Sequence, residues 1–257
     1  MNILSSRKQN KIQPSYSIII PVYNQTDTII PVVKNLRNYL NDDISQYEII
    51  IINDGSSDDT DNILKEYQEQ YNFNIISYKK NMGKGFAVKS GILRSTGKNI
   101  MFLDGDLDIS INTLHTYFNE LKTHDVVIAS KRHPDSEIIS SFKRNFLSKC
   151  FNLFVTLFTG INVSDTQSGL KAGNGQYLRF IFKHLSVKRY AFDVEFLAMA
   201  SLLDLKIKEL PIHLQLTGDF KLRDIFKMFM DILGVSYRLK VSHWYQKKLS
   251  TFRSLSV

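Results

Sequence analysis

Asp104, Asp106 and Asp108 are spaced two apart at the end of the apolar run Ile100-Met101-Phe102-Leu103. Alternate residues of an extended segment point the same way, so a bend at Gly105 lets the three carboxylates converge on one hard divalent cation, which in turn can hold a diphosphate. An acidic turn after a strand uses the same residue types. Other stretches carry chemistry of a related kind. Asn53-Asp54-Gly55-Ser56-Ser57-Asp58 follows the apolar run Glu48 to Ile52, and Asn81-Met82-Gly83-Lys84-Gly85 sets a lysine between two glycines, where backbone can approach a phosphate. Later, Asp165-Thr166-Gln167-Ser168-Gly169-Leu170-Lys171 is a polar turn with another carboxylate. Asp193 and Glu195 open an apolar helix, where acids also complement the helix dipole.

The elements that must position these residues follow from periodicity. Tyr16 to Ile20, Glu48 to Ile52, Asn74 to Tyr78 and Ile100 to Leu103 read as strands, separated by helices from about residue 26 to Leu40, from Ser57 or Asp58 as cap to Tyr71, and from Phe86 to Ser95, with Gly97 as the stop. Pro31 fits only the first turn of its helix. This alternation predicts an α/β chain with a doubly wound, mostly parallel sheet, and ligands of such sheets bind outside the carboxyl ends of the strands. A helix from Thr113 to Lys122, a strand from Asp125 to Ala129 and a helix from Phe142 to Phe158 come next. The last has apolar residues at 142, 146, 150, 153, 154 and 157 and suits either core packing or membrane-surface contact. A helix ending near Leu203, a strand from Lys206 to Leu210 and an extended stretch from Ile212 to Leu216 complete the domain. Finally, Leu222, Ile225, Phe226, Phe229, Met230, Leu233 and Tyr237 form one helical stripe, followed by Trp244 and Tyr245.

With 257 residues, the chain suits one substantial core. Expected are a flexible tail over 1–15, a catalytic domain over 16–219 with a nucleotide half to about 130 and an acceptor half after it, and an amphipathic, membrane-surface helical segment over 220–257. The net charge of +8 resides in the second half, which implies an anionic partner. A lone cysteine excludes an intramolecular disulfide, residues 1 to 13 lack the apolar core of a signal peptide, and no run is long enough to span a bilayer. A peripheral position on the cytosolic face of a membrane is therefore expected, with an anionic membrane surface as partner and no nucleic acid.

In this order the motifs resemble the inverting GT-A glycosyltransferase family that includes dolichyl-phosphate mannose and glucose synthases. The resemblance rests on Ile19-Ile20-Pro21-Val22-Tyr23-Asn24, the loops at 53–58 and 81–85, Asp104-Gly105-Asp106, the turn at 165–171 and Tyr190-Ala191-Phe192-Asp193-Val194-Glu195, and it runs from Ser17 to Asp231. It implies a GT-A fold with Pro21, Tyr23, Asn24, Asp54, Ser57 and Asn81 around the base and ribose of a UDP-sugar, a GDP-sugar being the alternative. Gly83, Lys84 and Asp104 would lie at the diphosphate, and Asp104, Asp106 and Asp108 would hold Mg²⁺ or Mn²⁺. Two positions depart from the family pattern: Asp108 stands where the mannose branch commonly has Gln, and Gln25 where an acid usually follows the Asn.

Sugar leaves a nucleoside diphosphate most readily when cations offset the charge growing on the leaving oxygen, a task for the metal and Lys84. An acceptor that is a polyprenyl or dolichyl phosphate is already anionic and needs only orientation, by Arg132, Arg144 and Lys171. A hydroxyl acceptor needs a base, Asp165 or Asp193, alongside Asp106 in the catalytic set. A non-catalytic basic module binding nucleic acid or membrane is the remaining reading, and it leaves the aligned carboxylates without a purpose.

Overall fold

The computed structural model describes residues 14–40, 47–105, 113–140, 142–215 and 222–253. Its most apolar segments lie side by side. Strands β1 (Tyr16–Val22), β2 (Tyr47–Asn53), β3 (Asn74–Ser77) and β4 (Asn99–Leu103) pair in parallel in the order β3-β2-β1-β4. The three inner strands are covered on both faces, which explains their unbroken apolar runs. Ile19, Ile50, Ile52, Ile100 and Phe102 pack to one side, while Ile18, Ile20, Ile49, Ile51, Met101 and Leu103 pack to the other.

Helices α1 (Ile29–Tyr39), α2 (Thr60–Tyr71) and α4 (Leu114–Glu120) cover the second side through Val33, Leu36, Leu64 and Tyr117; α3 (Lys84–Arg94) covers the first through Ala87, Val88 and Ile92. Pro31 sits in the first turn of α1, as its missing N–H requires. The cap position of α2 is Asp59, whose side chain makes no cap bond, one residue after the expected Ser57 or Asp58; the Asp58 carboxylate accepts from the Thr60 N–H at 3.1 Å. By contrast α3 begins at Lys84, two residues before the expected Phe86. It stops at Arg94, where Ser95 turns extended and donates its hydroxyl to the Ile92 carbonyl at 2.7 Å; the expected stop at Gly97 lies beyond the helix.

Strand β5 (Val126–Ala129) does not join β4 directly. Between them lies β7 (Leu170–Asn174), antiparallel to both, and β8 (Ile207–Leu210) closes the edge parallel to β5. Neither β7 nor the following helix α6 (Gly175–His184) is among the predicted elements. Leu170-Lys171-Ala172-Gly173-Asn174 carries a lysine and two small residues, so it reads as the end of a polar turn. The expected extended stretch after Pro211 pairs as β9 (His213–Gln215) with β6 (Glu137–Ile139).

The second half adds α5 (Phe142–Thr159), α7 (Phe192–Leu202), α8 (Leu222–Ser236), a π-helical turn (Tyr237–Val241) and α9 (Trp244–Arg253). The expected stripes divide between core and surface. On α5 the core side is Val155 with Phe151 and Phe154, and on α8 it is Ile232 and Val235, with Phe229 against α5. Phe146, Cys150, Leu153 and Leu157 of α5, Phe226, Met230 and Leu233 of α8, and Tyr237 of the π-helical turn face outward. Both helices are apolar around most of their circumference, so periodicity picks a stripe without saying which side meets the core. Tyr245 and Leu249 of α9 are buried in that same core.

Phe182 of α6 is fully buried against Phe102, Phe192 and Phe196, joining three elements through ring contacts at 5.3 to 6.2 Å. Phe182→Ala is expected to lower stability by about 3–5 kcal/mol, read as a shifted urea midpoint with an unchanged slope.

Candidate active site

Strands β1, β2 and β3 run outward in one direction under α1 and α2, and α3 then crosses the other side of the sheet to place β4 on the free edge of β1, so the strand order reverses between β1 and β4. The crevice this opens is where a doubly wound sheet takes its ligand. Here it is a cavity of about 620 Å³ walled by Pro21, Tyr23 and Gln25 after β1, Asp54 after β2, Asn81, Gly83 and Lys84 at the start of α3, Asp104 and Gly105 after β4, and Arg189 and Tyr190.

Tyr23 is 47% exposed, leaving a ring face open to stacking. Asp54 is buried, and its two oxygens accept from the Met82 and Gly83 N–H groups, both at 2.8 Å, so this carboxylate shapes the turn that presents Lys84. Burial pushes its pKa up, against those two bonds. Asn24 and Ser57 bond each other instead of walling the cavity: Asn24 Oδ1 accepts from Ser57 N at 2.8 Å, and Asn24 N donates to Ser56 Oγ at 3.0 Å. They stitch the loop after β1 to the loop after β2.

Lys84 Nζ lies 2.5 Å from Asp104 Oδ1. The Asp104 amide donates to the Gly169 carbonyl at 3.1 Å, and a side chain at 169 would overlap the Asp104 carboxylate, so the glycine of the 165–171 turn is required there. Asp104 offers a hard oxygen toward the cavity and already attracts a cation, which fits a divalent metal. Asp106 and Asp108 lie outside the described residues, and among the described residues no three His, Cys, Asp or Glu side chains cluster as a metal site.

Behind this pair stands a second one. Lys171 on β7 is fully buried, with Nζ 2.8 Å from Asp193 Oδ1 on α7, off the line of a good hydrogen bond, and 2.6 Å from the Ser168 carbonyl to which it donates. Burial holds the Asp193 pKa up despite the attraction of Lys171 and Lys84, and Asp104 adds to the rise. Asp165 differs. Burial would raise its pKa too, but the Lys131 ammonium at 3.0 Å and the Lys131 and Gln167 amides outweigh it and hold the carboxyl below the usual value.

Arg132 donates to the Ser148 carbonyl on α5 at 2.7 Å, and it and Arg144 on α5 stand away from the cavity wall. Among the residues expected from sequence, the structure thus gathers Pro21, Tyr23, Asp54, Asn81, Gly83, Lys84 and Asp104, with Asp193 behind them. Arg189 on the wall had no role assigned; the signal for it was a basic pair, Lys188-Arg189, just ahead of a helix start.

Residues 17–182 match the model of glycosyl transferase family 2. The chain is 32% identical to dolichyl-phosphate beta-glucosyltransferase of Dictyostelium discoideum, over 92% of its own length and 78% of that protein. Against the Saccharomyces cerevisiae protein of the same name it is 33% identical over 88% and 75%, and against the human one 28% over 89% and 76%. Among solved structures it superposes on Mycobacterium tuberculosis glucosyl-3-phosphoglycerate synthase in complex with UDP, with a TM-score of 0.66, 16% identity and coverage of 88% and 80%. The complex of that synthase with Mn²⁺, UDP and glucosyl-3-phosphoglycerate gives a TM-score of 0.64 at 16% identity, with the same coverage. Identity this low establishes a shared fold.

Because the folded-state pKa of Asp165 is depressed, its stabilisation is complete above the ordinary value of 3.8 and is lost as pH falls below it. Asp165→Asn should cost about 3 kcal/mol at neutral pH, since it strands the Lys131 charge. The variant should also show a flatter loss of stability than the wild type when denaturation is followed from pH 5 toward pH 2.

Proposed function

The chain belongs to glycosyl transferase family 2, and from that premise we propose that it transfers glucose from UDP-glucose to a dolichyl or other polyprenyl phosphate, with inversion, at a membrane surface. One observation carries the reading: an open tyrosine face, a lysine and a metal-seeking carboxylate share one cavity at the carboxyl end of the sheet. That is the order of a base, a diphosphate and its countercharge. The sugar and the acceptor come from the likeness to the dolichyl-phosphate beta-glucosyltransferases.

In this reading Tyr23 and Pro21 enclose the uracil, and Lys84 meets the diphosphate. Asp104, with Asp106 and Asp108 of the same motif, would hold Mg²⁺ or Mn²⁺, which when bound would offset the negative charge of the departing diphosphate. Lys84 adds to that offset at the leaving oxygen, and removing such a contact in a water-poor site commonly costs about a hundredfold or more in rate. The acceptor phosphate arrives ionised, so it needs no proton removed; Arg132 and Arg144 orient it from the α5 side. A hydroxyl acceptor is the second reading, favoured by Asp193, whose raised pKa and closeness to Asp104 and Lys84 suit a general base.

Incubation with labelled nucleotide sugars and dolichyl phosphate separates the two. A chloroform-soluble glucoside formed from UDP-glucose in the presence of Mn²⁺ is expected, and its absence with every donor sinks the lipid reading. Asp193→Asn, checked for folding by circular dichroism, should keep turnover within about tenfold if the acceptor is a phosphate and lose about a hundredfold or more if it is a hydroxyl.

The outward residues of α5 and α8 support the membrane part of the proposal. Phe146, Leu153 and Leu157 on α5, Phe226 and Met230 on α8 and Tyr237 in the π-helical turn after it are 53% to 67% exposed, and the two helices pack together through Phe151, Phe154 and Phe229. Such a face suits the headgroup layer. Among the described residues no helix is long and apolar enough to cross a membrane. Leu157→Asp combined with Phe226→Asp should cut co-flotation with anionic vesicles at least tenfold while leaving transfer to a short, water-soluble prenyl phosphate intact.

A further inference from the structure

Helix α7 is apolar along its length except for Asp193 and Glu195, and Glu195 is completely buried without touching the cavity. A carboxylate removed from water costs several kcal/mol unless its oxygens are bonded. Here both are. Oε2 accepts from the Ser186 and Val187 N–H groups at 2.9 and 2.8 Å, and Oε1 accepts from the Tyr245 hydroxyl of α9 at 2.6 Å. The Tyr245 oxygen in turn accepts from Arg238 Nε at 2.9 Å.

The two amides held by Glu195 begin the segment 186–190 that carries Arg189 to the cavity wall. Its other end is tied to the Gly-Lys-Gly turn. The Lys188 carbonyl accepts from Phe86 N at 3.0 Å, and Gly83, at φ +98°, passes so close that a Cβ there would lie 2.6 Å from that carbonyl. Asp231 of α8 is near enough to Arg189 and Arg238 to be attracted by both charges. The C-terminal helices therefore reach the backbone beneath Arg189 through Tyr245 and Glu195. Nothing in transfer chemistry needs Glu195 itself, yet everything it holds ends at one arginine beside Lys84.

We infer that Arg189 is a contact for the donor diphosphate and that the buried Glu195, Tyr245 and Arg238 network positions it, so that the C-terminal helices set donor affinity. The inference rests on the proposed nucleoside diphosphate donor. Guanidinium is suited to the task because its fork meets two phosphate oxygens at once, and that advantage exists only if the fork is held in place. Tyr245 and Glu195 act through Arg189 and do not touch the donor.

The test is calorimetric titration of the full chain with UDP in Mn²⁺ buffer, which reads donor binding without turnover. Tyr245→Phe removes one hydroxyl and almost no volume. Both Tyr245→Phe and Arg189→Ala are expected to weaken UDP binding about tenfold, and the double variant no more than Arg189→Ala alone. In steady state, Tyr245→Phe should raise KM for UDP-glucose with KM for the lipid phosphate unchanged. If Tyr245→Phe lowers the melting temperature but binds UDP as the wild type does, or if the two losses add, the network serves folding only and the positioning role is overturned. Should Tyr245→Phe not fold, Arg238→Gln, at a partly exposed side chain, is judged by the same outcomes. A wild-type chain that binds no UDP overturns the donor reading, and this inference falls with it.

Discussion

Lys171 places an ammonium where water does not reach, on a strand covered on both faces. A charge so placed persists only with a counter-charge and hydrogen-bond partners in fixed positions. Asp193 and the Ser168 carbonyl are those partners, and meeting them fixes β7 against α7 at one depth. Because β7 pairs with β4 on one edge and β5 on the other, the same contact sets how the second half of the chain meets the first. Asp104, one residue beyond β4, takes its position from the turn that leads into β7. Replacing one member of the pair would leave the other buried alone, so the constraint acts on both halves together.

Around that constraint the site alternates charge. Lys84 pairs with Asp104 and Lys171 with Asp193, and Asp231 attracts Arg189 from α8. Each of the two paired lysines already has its countercharge in place. A site arranged this way is preorganised, because its dipoles and charges do not have to be assembled when a diphosphate arrives. The two candidate bases are also separated by their surroundings. Lys131 draws the Asp165 pKa down, whereas burial dominates at Asp193 and raises it. Two carboxylates of the same type thus acquire different proton affinities from their neighbours.

Helices α5 and α8 carry a different kind of duality. Their inner residues complete the core and their outer residues leave a row of aromatic and aliphatic side chains uncovered. An uncovered apolar face of this kind is the feature that supports the proposed membrane surface. The buried polar link from α9 and the π-helical turn to the loop at 186–190 joins that region to the crevice through hydrogen bonds, which transmit position more strictly than apolar packing does.

Much was legible in the sequence wherever the signal was local. Strands β1, β2 and β4 were marked by apolar runs, and the carboxyl-end loops by Asp54, Gly83, Lys84 and Asp104, because a buried parallel strand and a phosphate-approaching turn each demand particular residue types within a few positions. What tertiary structure alone decided was non-local. That β7 enters between β4 and β5, that the outward stripe on α5 and α8 is the one periodicity assigned to the core as readily as to a membrane, that Asn24 and Ser57 bind each other, and that Glu195 reaches Tyr245 fifty positions away all depend on which surfaces meet. Residue type fixes what a side chain can bond to, but the cost of leaving a buried charge unpaired is incurred only once the chain has folded, and the partner is then whichever group the packing brings within reach.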